Sequence, residues 1–420
     1  MTGVLSGLRV VELAGVLAGP SVGQFLAELG ADVLKVENAR TGGDVTRTWR
    51  LAPEADPAAP EASGGGGRPA YFSAANWGKR SVALDLSREG GREALHALVR
   101  GCDVVLTASR PGSAARLGAD AATLRALAPR AVVVSLTGYG PGDPRAGYDA
   151  VVQAESGFMH LNGPAHGATA PEASGGPTKM PVALVDVLAA HQIKEGVLAA
   201  LLRRERSGEG ALVEVSLLGA AAASLANQGT AWLQAAHEPR PMGSAHPQIA
   251  PYGEPLATAT GPVVLAVGTD RQFAALCDVL GLPLAGDVRF ATNPARVRHR
   301  EALTAALQAA LAAWDRDALL AALGARAVPA GAVRRVSEAF GAPEAQGVVL
   351  RAGPLAGLRQ AAFTVDGAAP DPRPLRPPPR YAEHTGEVLL EAGAAPEAVA
   401  GWLASGAAVA RSAPEAGDGA

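Results

Sequence analysis

The 420-residue chain has only two cysteines, Cys102 and Cys277, far apart in the sequence. That excludes a disulfide framework and a cysteine-based zinc cluster, and it suits a reducing cytosol. A basic excess is also missing: 37 Lys and Arg stand against 40 Asp and Glu, a formal net charge of −3. General nucleic-acid binders usually carry a basic excess or stripe, so no nucleic-acid partner is expected. No long hydrophobic run occurs. The longest, around residues 217–226, is about half of what a bilayer span needs. Arg9 and Glu12 interrupt any apolar stretch at the N-terminus, which reads against a secretory signal. A cytoplasmic protein without a membrane partner is the expectation. Walker A, H-E-x-x-H and G-x-G-x-x-G patterns are all missing. The eight histidines show no metal-ligand spacing, so no metal site is expected.

What is present reads as a globular enzyme scaffold. Hydrophobic residues make up 48% and charged residues 18%, and the length suits two or three domains. Strand, helix and strand signals follow one another at 8–13, from Pro20 to about 30, and at 31–37. Pro20 suits the first helical position, where its missing N–H would be unpaired anyway. The alternation continues with strands at 81–86, 103–106 and 131–136 and helices at 88–100 and 121–128, the latter capped by Asp120. Such alternation predicts an α/β fold, a Rossmann-like parallel sheet with ligands outside the carboxyl ends of its strands. Lys79 and Arg80 read as turn residues. A long helix over 182–204, a strand over 211–216 and a helix over 218–234 follow. Residues 225–330 read as a smaller α+β domain, with 239–252 loop-like, a strand at 262–267 and helices after Asp270, at 301–314 and at 316–323. Residues 1–224 form the first part of the large domain, and 331–395 return to it. Glycine (51) and proline (32) concentrate at 53–69, at 162–177 and from Gly393 onward. The first two are expected as surface loops, and 396–420 as a flexible tail.

Two features carry candidate chemistry. The loop 14–19 follows the first strand, where phosphate-binding loops sit. An ordinary βα turn and a set of backbone N–H groups facing a nucleotide-like ligand both fit it. Asp186 is the only charge between Lys179 and Lys194. One reading is a carboxylate satisfied by helix N–H groups or a hydroxyl. The other is a nucleophile kept ionised by the helix dipole and able to form acyl intermediates.

In combination, the motifs resemble the class III CoA-transferases, the family that includes formyl-CoA transferase and, as a racemising branch, α-methylacyl-CoA racemase. They run over nearly the whole chain, from about residue 5 to 390. They are residues 8–13 with 18–20, 29–37 (LGADVLKVE), 76–81 (NWGKRS) with 84–86, and 110–112 (RPG). Gly138-Tyr139-Gly140, Gly147-Tyr148-Asp149, Val185-Asp186 and 243–247 (GSAHP) follow. Ala291-Thr292-Asn293 with Arg296 and Arg300, and Glu383-His384-Thr385, close the set.

The resemblance implies that Asp186 is the nucleophile of a CoA-transferase using aspartyl anhydride and aspartyl-CoA thioester intermediates, with succinyl-CoA or a similar donor. It implies CoA contacts at Val16, Leu17, Ala18, Asn38, Leu84, Arg116, Gly138 and Tyr139. Substrate contacts are implied at Tyr148, Gly243, His246 and Gln248. Acyl-CoA and carboxylic acids are the substrates, no cofactor is permanently bound, and an interlocked homodimer is implied. Thr107-Ala108-Ser109 departs from the family's Glu-Asn-Phe, so an asparagine and an aromatic CoA contact are expected to be missing. His246-Pro247-Gln248 replaces a glycine run. Tyr148 stands where the racemase branch has a histidine, and a tyrosine near pKa 10 is a poor base at neutral pH, which favours transfer. The rival readings are a racemase-like enzyme and a catalytically silent CoA-binding homologue.

Overall fold

A computed structural model of the chain describes residues 3–55, 68–109, 112–164, 176–369, 371 and 373–411. Arg110 and Pro111 of the Arg-Pro-Gly motif, most of the loops expected at 53–69 and 162–177, and the tail from 412 lie outside the described residues. The chain divides into two units. One comprises Met1–Ser156, Pro181–Ala226 and Gln346–Ala420, the other Gly157–Met180 and Asn227–Ala345. The second unit thus runs beyond residue 330 and takes in a segment ahead of the long helix.

The first unit opens with β1 (Arg9–Leu13), α1 (Ala18–Glu28), β2 (Asp32–Asn38), β3 (Lys79–Leu84), α2 (Glu89–Arg100), β4 (Val104–Ala108), α3 (Ala121–Leu127) and β5 (Val132–Thr137). It continues with α4 (Asp149–Glu155), α5 (Leu184–Ser207), β6 (Ala211–Ser216) and α6 (Leu217–Ala223). Valine-rich runs form these strands because they are covered on both faces, which suits β-branched side chains and parallel pairing. Val11, Leu34, Val82, Val105 and Val133 share one core with Leu95, Leu98 and Leu124 of the helices.

The second unit contains α7 (Ala226–Ala235), β7 (Tyr252–Thr258), β8 (Gly261–Ala266), α8 (Asp270–Leu280), α9 (Arg300–Leu311), α10 (Arg316–Ala325) and β9 (Ala330–Ala332). Its antiparallel sheet, order β7-β8-β9, packs Leu256, Val263 and Leu265 against Phe273, Leu276, Leu303, Leu307 and Leu319. The chain then makes the hairpin β10 (Val349–Ala352) and β11 (Leu355–Leu358), followed by α11 (Thr385–Glu391), α12 (Pro396–Ala404) and β12 (Ala408–Val409).

The large sheet has the order β12-β3-β2-β1-β4-β5-β6. All pairs are parallel except β12 with β3. The strand order reverses between β1 and β4, the position where doubly wound sheets open a crevice at their carboxyl ends.

Several expectations need correction. Pro20 is the third residue of α1, not the first, and still falls among the first-turn positions whose N–H groups lack a helical partner. The helix expected over 218–234 breaks into α6 and α7, with Ala226 at φ +47°. No glycine or proline announces that break. Tyr252–Thr258 forms a strand rather than continuing the loop, and Pro255 is tolerated because β7 is an edge strand. Lys79 and Arg80 open β3, buried and ion-paired rather than holding a turn. The segment expected as a flexible tail from 396 holds α12 and β12, because Val399 and Ala408 complete the core and cap the edge of β3.

Candidate active site

At the carboxyl ends of β1 to β4 lies a cavity of about 420 Å³. Leu13–Gly15, Asn38, Leu84–Ser87 and Thr107–Ser109 contribute to its walls. Asn38 and Leu84 therefore share this cavity. The Asn38 side chain accepts the Arg40 N–H at 3.0 Å, and Arg40 also lines the cavity. Arg40 supplies a cation to it and was not recognised in the sequence. Arg116 is exposed on a one-turn helix, Ser113–Arg116, whose Ala114 and following Leu117 line the cavity while Arg116 does not.

Val16, Leu17 and Ala18 join β1 to α1. Leu17 is the N-cap of α1, which has no side-chain cap and no acidic residue in its first turn. Beneath the loop lies a buried charge network. Lys35 pairs with Glu12 at 3.1 Å and with Asp44 at 3.0 Å, and Lys79 meets Glu12 at 2.7 Å. Lys79 also donates to the Pro20 carbonyl and to Asn76. Glu37 holds Arg47 through two bonds of 2.7 Å and accepts from Ser81 at 2.6 Å. Buried charges persist when each is paired and hydrogen-bonded, as here. The motif residues Glu12, Lys35, Glu37 and Lys79 thus shape the floor under the loop.

Asp186 lies in the first turn of α5 and is half-buried. It receives no hydrogen bond among the described residues. The expected cap is made by another carboxylate: Asp149 Oδ1 accepts the Val185 N–H at 2.9 Å, while its Oδ2 accepts from Gln153 at 2.8 Å. Burial, reinforced by the Asp149 charge, pushes the Asp186 carboxyl up to about 7. Desolvation and a like charge therefore outweigh the helix dipole, contrary to the expectation of a dipole-stabilised anion. Tyr71 connects this position to the loop. Burial raises its phenol, and Asp186, Asp149 and Asp44 raise it further, which places all three carboxylates within electrostatic reach. Its ring meets Trp49 edge-on at 4.9 Å. Asp149, Tyr71 and Trp49 were missed as site residues. The Gly147-Tyr148-Asp149 motif was the one signal available.

Gly138 and Gly147 explain that motif. A Cβ on either would run into the other's backbone, so the two segments cross in close contact at the end of β5. The crossing delivers Asp149 to the start of α5. Tyr139 carries the Arg145 guanidinium over its ring at 3.7 Å. Tyr148 is 67% exposed at the N-terminus of α4, so its phenol does not join the half-buried carboxylates of Asp149 and Asp186.

In the second unit, Gly243 sits at φ +61° ahead of a tightly held loop. His246 Nδ1 accepts the Gln248 N–H at 3.1 Å, and its ring packs on Tyr252 at 5.2 Å. Asn293 donates to the Gln248 carbonyl at 2.8 Å, Arg296 to that of Ala250 at 2.8 Å and Arg300 to that of Ile249 at 3.0 Å. The motif residues Asn293, Arg296 and Arg300 are therefore loop clasps.

Among the described residues no group of three or more His, Cys, Asp or Glu gathers to hold a metal ion, and no helix is long and apolar enough to cross a membrane. The chain is 40% identical over 403 residues to a succinate–glutarate CoA-transferase of Agrobacterium fabrum, covering 92% of this chain and 95% of that one. It is 34% identical to an acetyl-CoA:oxalate CoA-transferase of Acetobacter aceti, covering 94% and 97%. A crystal structure of a CAIB/BAIF family protein from Brucella suis superposes with a TM-score of 0.77 at 36% identity, covering 93% of this chain and all of that one. Residues 5–385 match the model of CoA-transferase family III. The chain belongs to that family and is a CoA-transferase.

Proposed function

We propose that Asp186 is the nucleophile and that CoA passes through it from a dicarboxylyl-CoA donor, succinyl-CoA or a close analogue, to a carboxylate acceptor. The Asp186 carboxylate attacks the thioester carbonyl, and CoA leaves the tetrahedral adduct as thiolate, which forms a mixed anhydride between Asp186 and the donor acid. The thiolate attacks the aspartyl carbonyl of that anhydride, releasing the donor acid and leaving an aspartyl-CoA thioester. The acceptor carboxylate attacks this thioester and again expels the thiolate. Thiolate attack on the acceptor's acyl carbon then yields the new acyl-CoA and frees Asp186. One thioester replaces another, so the scheme needs neither ATP nor a metal. Covalent relay divides one difficult exchange into easier steps.

The observation that carries this reading is the Asp186 carboxylate in the first turn of α5, without a hydrogen-bond partner among the described residues, with the cap supplied by Asp149. A merely structural acid would take the cap itself. Desolvation also makes the ionised carboxylate more reactive, because little solvation is lost on attack. The uncapped N–H groups at Leu17 and Ala18 are proposed to face the acyl-CoA, with Gly138 and Tyr139 beside the thioester. Arg40 is proposed to meet its phosphates in the cavity shared by Asn38 and Leu84. Tyr148, Gly243, His246 and Gln248 are proposed on the acceptor side, and an interlocked homodimer as the working form. The relatives named for succinate, glutarate and oxalate support small dicarboxylates as the exchanged acids. Turnover of Asp186→Ala and Asp186→Asn with succinyl-CoA and a panel of dicarboxylates tests the reading. A loss of at least about a thousandfold is expected, and undiminished turnover would refute it.

A further inference from the structure

Val16 adopts φ +69°. A β-branched residue is strained in the left-handed region, and such strain persists only where the surroundings over-determine it. Here the surroundings are one ion pair. Both oxygens of Asp44 accept the Val16 N–H, at 3.2 and 3.4 Å. Lys35, paired with Asp44 at 3.0 Å, donates to the Ala14 carbonyl at 3.0 Å on the other side of Gly15. Asp44 is anchored in turn by the Thr46 N–H at 3.0 Å and hydroxyl at 2.8 Å, and Lys35 by Glu12. The loop is therefore gripped on both flanks of Gly15, and Ala14, Gly15, Lys35 and Asp44 all line the cavity. Connecting a strand to a helix does not demand a strained valine.

We infer that the Lys35–Asp44 pair is a positioning device that holds the Ala14–Leu17 loop in its strained form at Val16 and so sets affinity for acyl-CoA. The inference rests on the proposed contact of Val16–Ala18 with acyl-CoA. Burial would raise the Asp44 carboxyl, but the Lys35 charge and the Thr46 bonds hold it at about 2. The clamp therefore stays charged at working pH.

The test is a double-mutant cycle on the full chain with Asp44→Asn and Val16→Gly, reading KM for succinyl-CoA, kcat, and amide hydrogen exchange over residues 14–18. Glycine accepts a positive φ without strain, so the clamp has less to hold in its presence. In Asp44→Asn we expect exchange over 14–18 and KM each to rise about tenfold, with kcat moving less. In the Val16→Gly background the same change should raise KM no more than about threefold. An equal KM penalty in both backgrounds overturns the inference. Unchanged exchange with a raised KM overturns the clamp but leaves the acyl-CoA contact standing. Faster exchange with an unmoved KM also overturns the inference, by removing the contact on which it rests. Should Asp44→Asn fail to fold, Thr46→Val weakens the same anchor and is read by the same criteria.

Discussion

At the scale of single residues, the chemistry of Asp186 follows from what its neighbours withhold. Among the described residues no N–H group donates to it, the one at Val185 is engaged by Asp149, and Asp149 adds a like charge nearby. A carboxyl raised above its ordinary 3.8 to about 7 is protonated at mildly acidic pH and ionised above neutrality. A nucleophile must be ionised, so kcat/KM should fall as pH drops below about 7. Removing the Asp149 charge with Asp149→Asn should move that acid limb to lower pH, even as looser placement of α5 lowers kcat. A limb that stays fixed, or moves upward, would contradict the electrostatic coupling. The linked stability term has the opposite sense. It favours the fold fully below about pH 3.8 and is lost as pH rises through about 7, because the folded protein holds that proton more tightly.

At the scale of elements, small residues let charged and backbone groups meet. Gly23 lies on α1 directly above the buried Glu12 carboxylate, so a Cβ there would occupy the space of that carboxylate and press on Lys79. Gly23→Ala should destabilise the protein by about 1–3 kcal/mol, read as a lower denaturant midpoint. An unchanged midpoint would show that the network can shift at little cost. Much at this scale was legible. Val10-Val11, Val104-Val105 and Val132–Val134 announce buried parallel strands, and Asp120 was readable as a cap and does accept the Thr123 N–H. What escaped depends on tertiary partners. The Ala-rich stretch over 217–226 has its one glycine, Gly219, near the start of α6 rather than at the break, so its division into α6 and α7 had no local signal. Asp149 looked like one letter of a motif, since its partner Val185 is 36 residues away. Asp44 carried no signal, because its value comes from Lys35 on a neighbouring strand.

At the scale of the whole chain, the first unit is assembled from three separated stretches, and its last stretch closes the sheet. Ala408 and Val409 pair with Leu84 and Ala83, and Thr385 accepts the Ala83 N–H at 3.1 Å. A chain ending at Glu391 would leave β3 with an open edge and Val399 missing from the core, so it should lose soluble yield and cooperative unfolding. Retention of both would show that α12 and β12 are dispensable. The proposed homodimer predicts a solution mass twice that of one chain by light scattering, and a monomer at working concentration would contradict it.

The central claim is that acyl and CoA groups pass through one carboxylate. It is tested most directly by mixing the enzyme with succinyl-CoA, quenching with hydroxylamine and measuring the mass of the peptide bearing Asp186. The account predicts a hydroxamate at Asp186, formed only when acyl-CoA is present and missing from Asp186→Asn. An unmodified Asp186 peptide in an enzyme that is turning over would contradict it.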